Sequence, residues 1–159
     1  MGEGVEMGRI QPISFEEIKA ELPLALDGEG LLGWDPCKES LDQLEQRLKL
    51  YHTLGVKHQA SGTLFLMQQT PANRNLGEFD FQLVPASKGS NVILDFMSYC
   101  QLEFGMKGLL WKETQPSPSK VQFLTVLGFS LLGKIPGALY SKGSYHPQHF
   151  LYYALGEQA

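Results

Sequence analysis

The spacing of apolar residues changes within residues 79–113, and this change predicts the central unit of the fold. Apolar and polar residues alternate over residues 79–84, which predicts a strand with one buried face. From Asn91 the apolar residues recur every three or four positions, which predicts a helix that ends at Gly105. A further strand is predicted over residues 108–113. Together these segments predict a βαβ unit, whose first loop leads directly into the start of a helix.

Weaker patterns before this unit predict a flexible segment over residues 1–13, two short helices and two strands. Each helix begins with a capping box, in which a serine precedes a Glu or Gln by three positions. The two pairs are Ser14 with Glu17 and Ser40 with Gln43. Gly55 is predicted to end the second helix. The strands are predicted over residues 56–59 and 63–69, and the second of them is rich in β-branched and aromatic residues.

The chain after the central unit predicts one more helix and two more strands. Ser117 is the predicted N-cap of the helix, and Gly128 is its predicted end. The strands are predicted over residues 129–135 and 150–155, with a long loop rich in Gly, Ser, Tyr and His between them. Strands followed by a βαβα segment are typical of a mixed sheet covered by helices. We therefore predict one α/β (α+β) domain over residues 1–159, with a mixed, mostly antiparallel sheet.

Composition narrows the class of protein. The chain has 159 residues, of which 43% are hydrophobic, so it can bury one sizeable core. A net charge of −4 gives no basic surface of the kind that nucleic acid requires, and no apolar run is long enough to cross a bilayer. The N-terminus lacks the basic and apolar parts of a signal peptide. We therefore expect a cytoplasmic protein that binds neither nucleic acid nor a membrane.

The histidines and cysteines do not indicate a metal site. His146 and His149 lie three positions apart, but Pro147 between them argues against a helical pair of metal ligands. Cys37 lies in a predicted loop, and Cys100 lies on the apolar face of the predicted central helix. This placement is typical of reduced thiols rather than of a disulfide framework or a zinc site. We therefore expect no metal cofactor.

Two short elements lie within residues 126–139, in the order VLGFSLLGKIPGAL. They consist of Leu127, Gly128 and Phe129 at the end of a predicted helix, and Gly133, Ile135, Pro136 and Gly137 in the next predicted strand. Their order and spacing resemble the GNAT family, the Gcn5-related N-acetyltransferases, in which the elements read "lYeklGF" and "G.ipga". The resemblance covers the chain from Gly62 onward. It implies two parallel strands that splay apart at residues 83–86 and 109–112, with acetyl-CoA bound in the V between them.

The same resemblance assigns cofactor-binding residues. They are Leu83 and Val84 at the end of the first splayed strand, Lys88, Gly89, Ser90 and Asn91 in the pyrophosphate loop, and Ser117 at the position of a cofactor-holding Asn. The family loop reads "R-G-x-G-x-G/A", with small residues where this chain has Asn91 and Ile93. Because a β-branched side chain at the helix start would obstruct a phosphate, the sequence predicts weak binding of CoA.

Acid–base chemistry is assigned by resemblance too. The Tyr of "lYeklGF" protonates the departing thiolate in many members, but Leu124 occupies that position and cannot transfer a proton. A Glu on the fourth strand is the base in some members, and Glu78 lies there; the alternative is an ordinary strand-end carboxylate in solvent. The predicted loop with Tyr140, Tyr145 and His146 lies where the family often contacts the acceptor. Its alternative is a loop that packs on the sheet.

Two functions remain open from the sequence. The first is transfer of an acetyl group from acetyl-CoA to an amine, catalysed mainly by positioning and by strand N–H groups that bind the oxyanion. The second is a GNAT-like interaction or structural module without catalysis, which binds protein partners in an assembly such as a virus particle. Leu124, Asn91 and Ile93 favour the second function.

Overall fold

The computed structural model describes residues 10–21, 39–70, 73–82 and 91–156. The strands are β1 (Ile10–Ile13), β2 (Leu54–His58), β3 (Thr63–Gln69), β4 (Leu76–Phe81), β5 (Gly108–Lys112), β6 (Ser130–Ser141) and β7 (Ser144–Ala154). The helices are α1 (Phe15–Glu21), α2 (Leu41–Leu50), α3 (Val92–Phe104) and α4 (Pro118–Leu127). Apart from the additional strand β1, the elements follow one another in the predicted order.

Within the described residues, a 7-stranded sheet has the strand order β1-β2-β3-β4-β5-β7-β6. Neighbouring strands are antiparallel except β4 and β5, which pair in parallel from Leu76 opposite Gly108 to Phe79 opposite Trp111. A parallel pair requires a crossover connection, and α3 lies in this connection. The predicted mixed, mostly antiparallel sheet and its parallel pair are therefore confirmed, although β4 begins earlier than predicted.

Apolar residues on both faces of the sheet pack against helices. Strand β3 shows the arrangement, because successive side chains of a strand point to opposite faces. Phe65 and Met67 belong to the larger hydrophobic cluster, which contains residues of α3 and α4. Leu64 and Leu66 belong to the smaller cluster, which contains residues of α1 and α2. In the larger cluster the rings of Phe65 and Phe96 stack, with 4.1 Å between their centroids.

Local hydrogen bonds account for several predicted helix boundaries. Both predicted capping boxes are present, with the backbone N–H of Glu17 donating to Ser14 Oγ at 3.2 Å and that of Gln43 donating to Ser40 Oγ at 3.1 Å. The reciprocal bonds run from the backbone N–H of each serine to the side chain three positions later. Gly105 and Gly128 follow α3 and α4 with φ of 64° and 111°, a left-handed conformation that glycine adopts readily.

One predicted helix boundary is confirmed without its expected bond, and another is wrong. Ser117 is the N-cap residue of α4 as predicted, but its side chain makes no capping bond, because its hydroxyl donates to the carbonyl of Gln115 at 2.7 Å. Helix α2 ends at Leu50, well before Gly55, which instead lies in β2. A Cβ atom at Gly55 would lie 2.6 Å from the side chain of Ile18, so a larger residue there would displace Ile18 of α1.

Both edges of the sheet also differ from the prediction. Residues Ile10–Ile13, predicted to be flexible, pair with β2 as the edge strand β1, whereas residues 1–9 lie outside the described residues. At the other edge, the predicted long loop is wrong because β6 and β7 form a hairpin. Its turn contains Lys142 and Gly143 with φ of 52° and 83°, as a tight hairpin turn requires. Most of β6 is exposed, so its sequence lacks the alternation that marks a half-buried strand.

Candidate functional site

The carboxyl ends of β4 and β5 form an opening in the sheet. Phe79 and Trp111 are the last residues that pair between these strands, although β4 continues to Phe81 and β5 to Lys112. Helix α3 follows β4 in the chain and α4 follows β5, so both helices begin on this side of the sheet. The first N–H groups of a helix have no partner within it, and the helix dipole favours negative charge nearby. Two helix starts thus lie at this end of the sheet, and each favours an anionic group nearby.

A buried charged cluster lies at this opening. The carboxylate oxygen Oδ1 of Asp80 accepts three hydrogen bonds. The donors are the backbone N–H of Phe81 at 2.8 Å, Trp111 Nε1–H at 2.9 Å and Lys120 Nζ at 2.9 Å. Asp80 is 2% exposed and Lys120 is 1% exposed, so water screens the two charges weakly. Donors from three elements, β4, β5 and α4, thus converge on one point just beyond the last paired residues.

The start of α3 is anchored, but the side chain of its own N-cap residue does not cap it. Asn91 is the exposed N-cap residue, and its side chain makes no capping hydrogen bond. In the first turn, Asp95 Oδ2 lies 2.8 Å from Nε2 of the buried His58, which joins α3 to β2. Ile93 is 2% exposed and packs in the larger hydrophobic cluster. The prediction that Ile93 obstructs a phosphate is therefore wrong, because the helix turns this side chain into the core.

The structure covers only part of the predicted cofactor-binding set. Leu83, Val84, Lys88, Gly89 and Ser90 lie outside the described residues. Ser117 is 2% exposed, its hydroxyl bonds the carbonyl of Gln115, and its backbone N–H donates to Glu113 Oε2 at 2.7 Å. Both donors of Ser117 are therefore engaged within the protein. Roles of Asn91 and Ser117 in holding a cofactor stay predictions.

The two positions considered for acid–base chemistry have different surroundings. Glu78 lies on β4 within the paired part of the strands, and its Oε2 is 3.5 Å from Nζ of Lys112 on β5. Its side chain is 21% exposed, so solvent reaches the carboxylate. A role for Glu78 as base stays a prediction. Leu124 is fully buried in the larger hydrophobic cluster, where it packs α4 against the sheet.

The residues predicted for acceptor contact lie at the tip of the β6–β7 hairpin. Tyr140 and Tyr145 pair across the two strands and are 65% and 72% exposed. Their rings meet edge to face, with 4.9 Å between the centroids. His146 Nε2 lies 3.1 Å from the hydroxyl of Ser144 and 3.3 Å from the carbonyl oxygen of Ser141. The tip therefore presents two aromatic rings to solvent rather than packing them on the sheet.

A carboxylate–histidine pair beside the opening was missed in the sequence. Glu113 follows β5 directly, and its Oε1 lies 2.7 Å from Nδ1 of His149 on β7. The Glu113 side chain is 3% exposed and the His149 side chain is 21% exposed. A Glu at the carboxyl end of a parallel strand was the signal that could have marked one partner. The other partner could not be assigned, because His149 was placed in a predicted loop.

The residues that the structure describes contain neither a metal-binding group nor a membrane-spanning helix. Within them, no group of three or more His, Cys, Asp or Glu side chains is placed to hold a metal ion. Likewise, none of the helices in the described part of the chain is long and apolar enough to cross a membrane.

Comparison with known proteins identifies the fold. No family model matches the sequence, and no curated protein matches it either. Solved structures match over nearly the whole chain. One is yncA, a putative acetyltransferase from Salmonella typhimurium with its cofactor acetyl-CoA, at a TM-score of 0.67 and 12% identity over 94% of this chain and 95% of that chain.

Two further structures match equally well. A GNAT superfamily phosphinothricin acetyltransferase from Sinorhizobium meliloti, in complex with acetyl-CoA, matches at a TM-score of 0.69 and 16% identity over 93% of this chain and 88% of that chain. A spermidine N-acetyltransferase chimera from Vibrio cholerae and hSSAT matches at 0.66 and 15% identity, over 92% and 94% of the two chains. The protein therefore has the GNAT fold, as the resemblance implied.

Proposed function

We propose that this protein is an acyl-CoA-dependent N-acyltransferase, which moves an acetyl group from acetyl-CoA to an amine. The observation that carries the proposal is the opening between β4 and β5, where parallel pairing stops after Phe79 and Trp111 while both strands continue. In the GNAT family, acetyl-CoA lies in the V between two such strands. The likeness to structures described with acetyl-CoA supports the same use of the opening here. The expected location of the protein is the cytoplasm.

The start of α3 is the proposed site for the pyrophosphate. Asn91 is exposed there and its side chain makes no capping bond, so the first backbone N–H groups of a 13-residue helix have no cap from this residue. Ile93 packs in the core, so its own side chain does not obstruct the helix start. The loop residues Lys88, Gly89 and Ser90, with Leu83 and Val84, complete the proposed cofactor site.

The reaction itself needs a donor for the acyl oxygen and a base for the amine. The backbone N–H of Phe81 lies beyond the last β4–β5 pair, and it donates to Asp80 Oδ1 in this structure. Trp111 Nε1–H and Lys120 Nζ donate to the same carboxylate oxygen, so an acyl oxygen would receive these donors only in exchange for Asp80. Such preorganised donors stabilise the negative charge of a tetrahedral intermediate. Glu78 is the base that the resemblance proposes, acting through water.

The test begins with calorimetric titration of the unaltered protein with acetyl-CoA and with release of free CoA thiol in the presence of amines. The variant Asn91→Asp places a carboxylate at the proposed pyrophosphate site, while Asp caps a helix as well as Asn does. Charge repulsion predicts a loss of affinity of about tenfold or more, with thermal stability unchanged. Equal affinity in the variant would show that the pyrophosphate does not bind at this helix start.

A matched control is available on the opposite face of the sheet. Gln46 is exposed on α2, whose residues pack in the smaller cluster, so Gln46→Glu adds the same charge far from α3. This variant should bind acetyl-CoA like the unaltered protein. A similar loss of affinity in both variants would indicate a general effect of net charge rather than a local site.

Two observations favour the second candidate function, a GNAT-fold module without catalysis that binds protein partners. The Asp80 carboxylate already occupies the donors at the opening, and Leu124 stands where a proton donor would be. Under this alternative the exposed tyrosines of the hairpin tip are partner contacts, for example within a virus particle. If acetyl-CoA gives no heat of binding in calorimetry and no turnover with amines, this alternative is supported.

A further inference from the structure

The carboxylate–histidine pair formed by Glu113 and His149 has the geometry of an acid–base dyad. Glu113 Oε1 lies 2.7 Å from His149 Nδ1 and also accepts the backbone N–H of His149 at 2.9 Å. Its other oxygen, Oε2, accepts the backbone N–H of Ser117 at 2.7 Å. The backbone N–H of Glu113 donates in turn to the carbonyl of His149 at 3.0 Å. Both residues are thus held in place by main-chain as well as side-chain bonds.

These hydrogen bonds assign the tautomer of the ring. An ionised carboxylate only accepts hydrogen bonds, so the His149 nitrogen that faces Glu113 must carry a proton. In the neutral ring, Nδ1 is then the donor and Nε2 has the lone pair. The side chain of His149 is 21% exposed, whereas that of Glu113 is 3% exposed. The basic nitrogen is therefore on the partner that solvent can reach.

The dyad lies beside the opening. Glu113 is two positions beyond Trp111, the last β5 residue that pairs with β4, and side chains two apart share a face of a strand. His149 lies on β7, directly next to β5, and neighbouring strands are about 4.8 Å apart. The contact from Glu113 to Ser117 also connects the dyad to the start of α4, where the resemblance places a cofactor-holding residue.

We propose that His149 is the general base of the acyl transfer and that Glu113 is its positioning residue; this inference rests on the proposed function. Nε2 of His149 accepts a proton from the ammonium form of the acceptor and later passes it to solvent. The neutral amine attacks the thioester carbonyl carbon, a C–N bond forms, and the C–S bond breaks. A second proton from the nitrogen goes to the departing thiolate. This assigns to the chain a proton acceptor other than Glu78, whose carboxylate is 3.5 Å from the Lys112 ammonium.

Charged residues on both neighbouring strands lie next to His149. Glu113 on β5 contacts Nδ1 directly, and Lys134 on β6 is the cross-strand partner of His149. A base of this kind works only in its neutral form, so acidic solution should slow the reaction. The low-pH limb of the kcat/KM profile is therefore the signature expected of the dyad.

The decisive variant is His149→Asn. The amide nitrogen of Asn can replace Nδ1–H toward Glu113, but the variant has no counterpart of Nε2. We expect kcat to fall by about 100-fold or more, with the affinity for acetyl-CoA unchanged in calorimetry and the low-pH limb of kcat/KM lost. The control is His52→Asn, at an exposed position with φ of 53°, which Asn tolerates. Its kcat and pH profile should match those of the unaltered protein.

The possible results distinguish a failure of the dyad proposal from a failure of the proposed acyl transfer. Turnover by the unaltered protein that persists in His149→Asn, or that falls more in Glu78→Gln, overturns the dyad and leaves acyl transfer standing. Absence of acetyl-CoA binding and turnover in the unaltered protein overturns both. Nitrogen NMR of the unaltered protein provides a test that needs no variant. A neutral His149 ring protonated at Nδ1 supports the assignment, whereas a proton on Nε2 overturns it.

Discussion

Lys120 on α4 and Asp80 on β4 form an ion pair in the interior, with 2.9 Å between Nζ and Oδ1 and exposures of 1% and 2%. Removing two charges from water is costly, and their mutual attraction offsets this cost only when the geometry is good and other hydrogen bonds complete the site. Here Trp111 Nε1–H and the backbone N–H of Phe81 supply those bonds. The pair joins α4 to the strand that borders the opening, so it fixes the shape of the candidate site.

We expect either Asp80→Asn or Lys120→Met alone to lower the free energy of unfolding by about 3–5 kcal/mol, because each leaves one buried charge without its counter-charge. The double variant should cost less than the sum of the two, since no buried charge remains. Urea unfolding of the four proteins measures this coupling. Additive effects would show that the pair contributes nothing beyond its separate contacts. Lys49→Met is the surface control, because the Lys49 side chain in the Lys49–Glu45 pair is 59% exposed, and it should change stability little.

Because Ile93 packs in the core, shortening its side chain should lower stability and should not improve cofactor binding. Ile93→Ala should lower the free energy of unfolding by about 2–5 kcal/mol, because the side chain is buried in the larger cluster. The matched control is Leu94→Ala on the next position of α3, where the side chain is 42% exposed and the cost should be smaller. Equal costs, measured by thermal or urea unfolding, would contradict the buried position of Ile93.

We predict that the Cys100 thiol reacts with thiol reagents only when the core opens. The residue is fully buried, and burial raises the pKa of its thiol from 9.0 to about 12. In a Cys37→Ser background, a thiol reagent at pH 8 should label the native protein far more slowly than the protein in urea. Rapid labelling of the native protein would contradict this burial.

The raised pKa of Cys100 also predicts that the protein loses stability at high pH. The contribution of the Cys100 thiol is fully present below about pH 9, and it is lost as the pH rises toward about 12, because the unfolded chain releases the proton first. A Cys100→Ala variant lacks this contribution, so its stability should fall less steeply over that range.

A variant at the hairpin tip can separate binding of the acceptor from stability of the fold. Tyr140→Ser removes one ring of an exposed edge-to-face pair, so unfolding free energy should change by no more than about 1.5 kcal/mol. If the tip contacts the acceptor, KM for the amine should rise while kcat and the affinity for acetyl-CoA stay the same. An unchanged KM for every amine that the protein accepts would leave the tip without a role in acceptor binding.

The sequence by itself determined the features that depend on local hydrogen bonds and on the spacing of apolar residues. The capping boxes at Ser14 and Ser40 satisfy backbone donors three positions away, and Gly105 ends α3 in a conformation that glycine allows. The parallel pairing of β4 and β5 follows from the change between two periods in one short segment. The capping bonds and the glycine stop are encoded within a few residues of one another, and the parallel pairing is encoded within one βαβ segment.

Only the tertiary structure decided what lies at the site. Asp80 and Lys120 are 40 positions apart, and Glu113 and His149 are 36 apart, so no local pattern indicates that either pair meets. The hairpin of β6 and β7 was missed because an exposed edge strand needs no alternation of apolar and polar residues. Likewise, the core position of Ile93 was set by the rotation of α3 against the sheet. Long-range packing determines which side of an element faces inward, and that choice placed the charged groups at the opening.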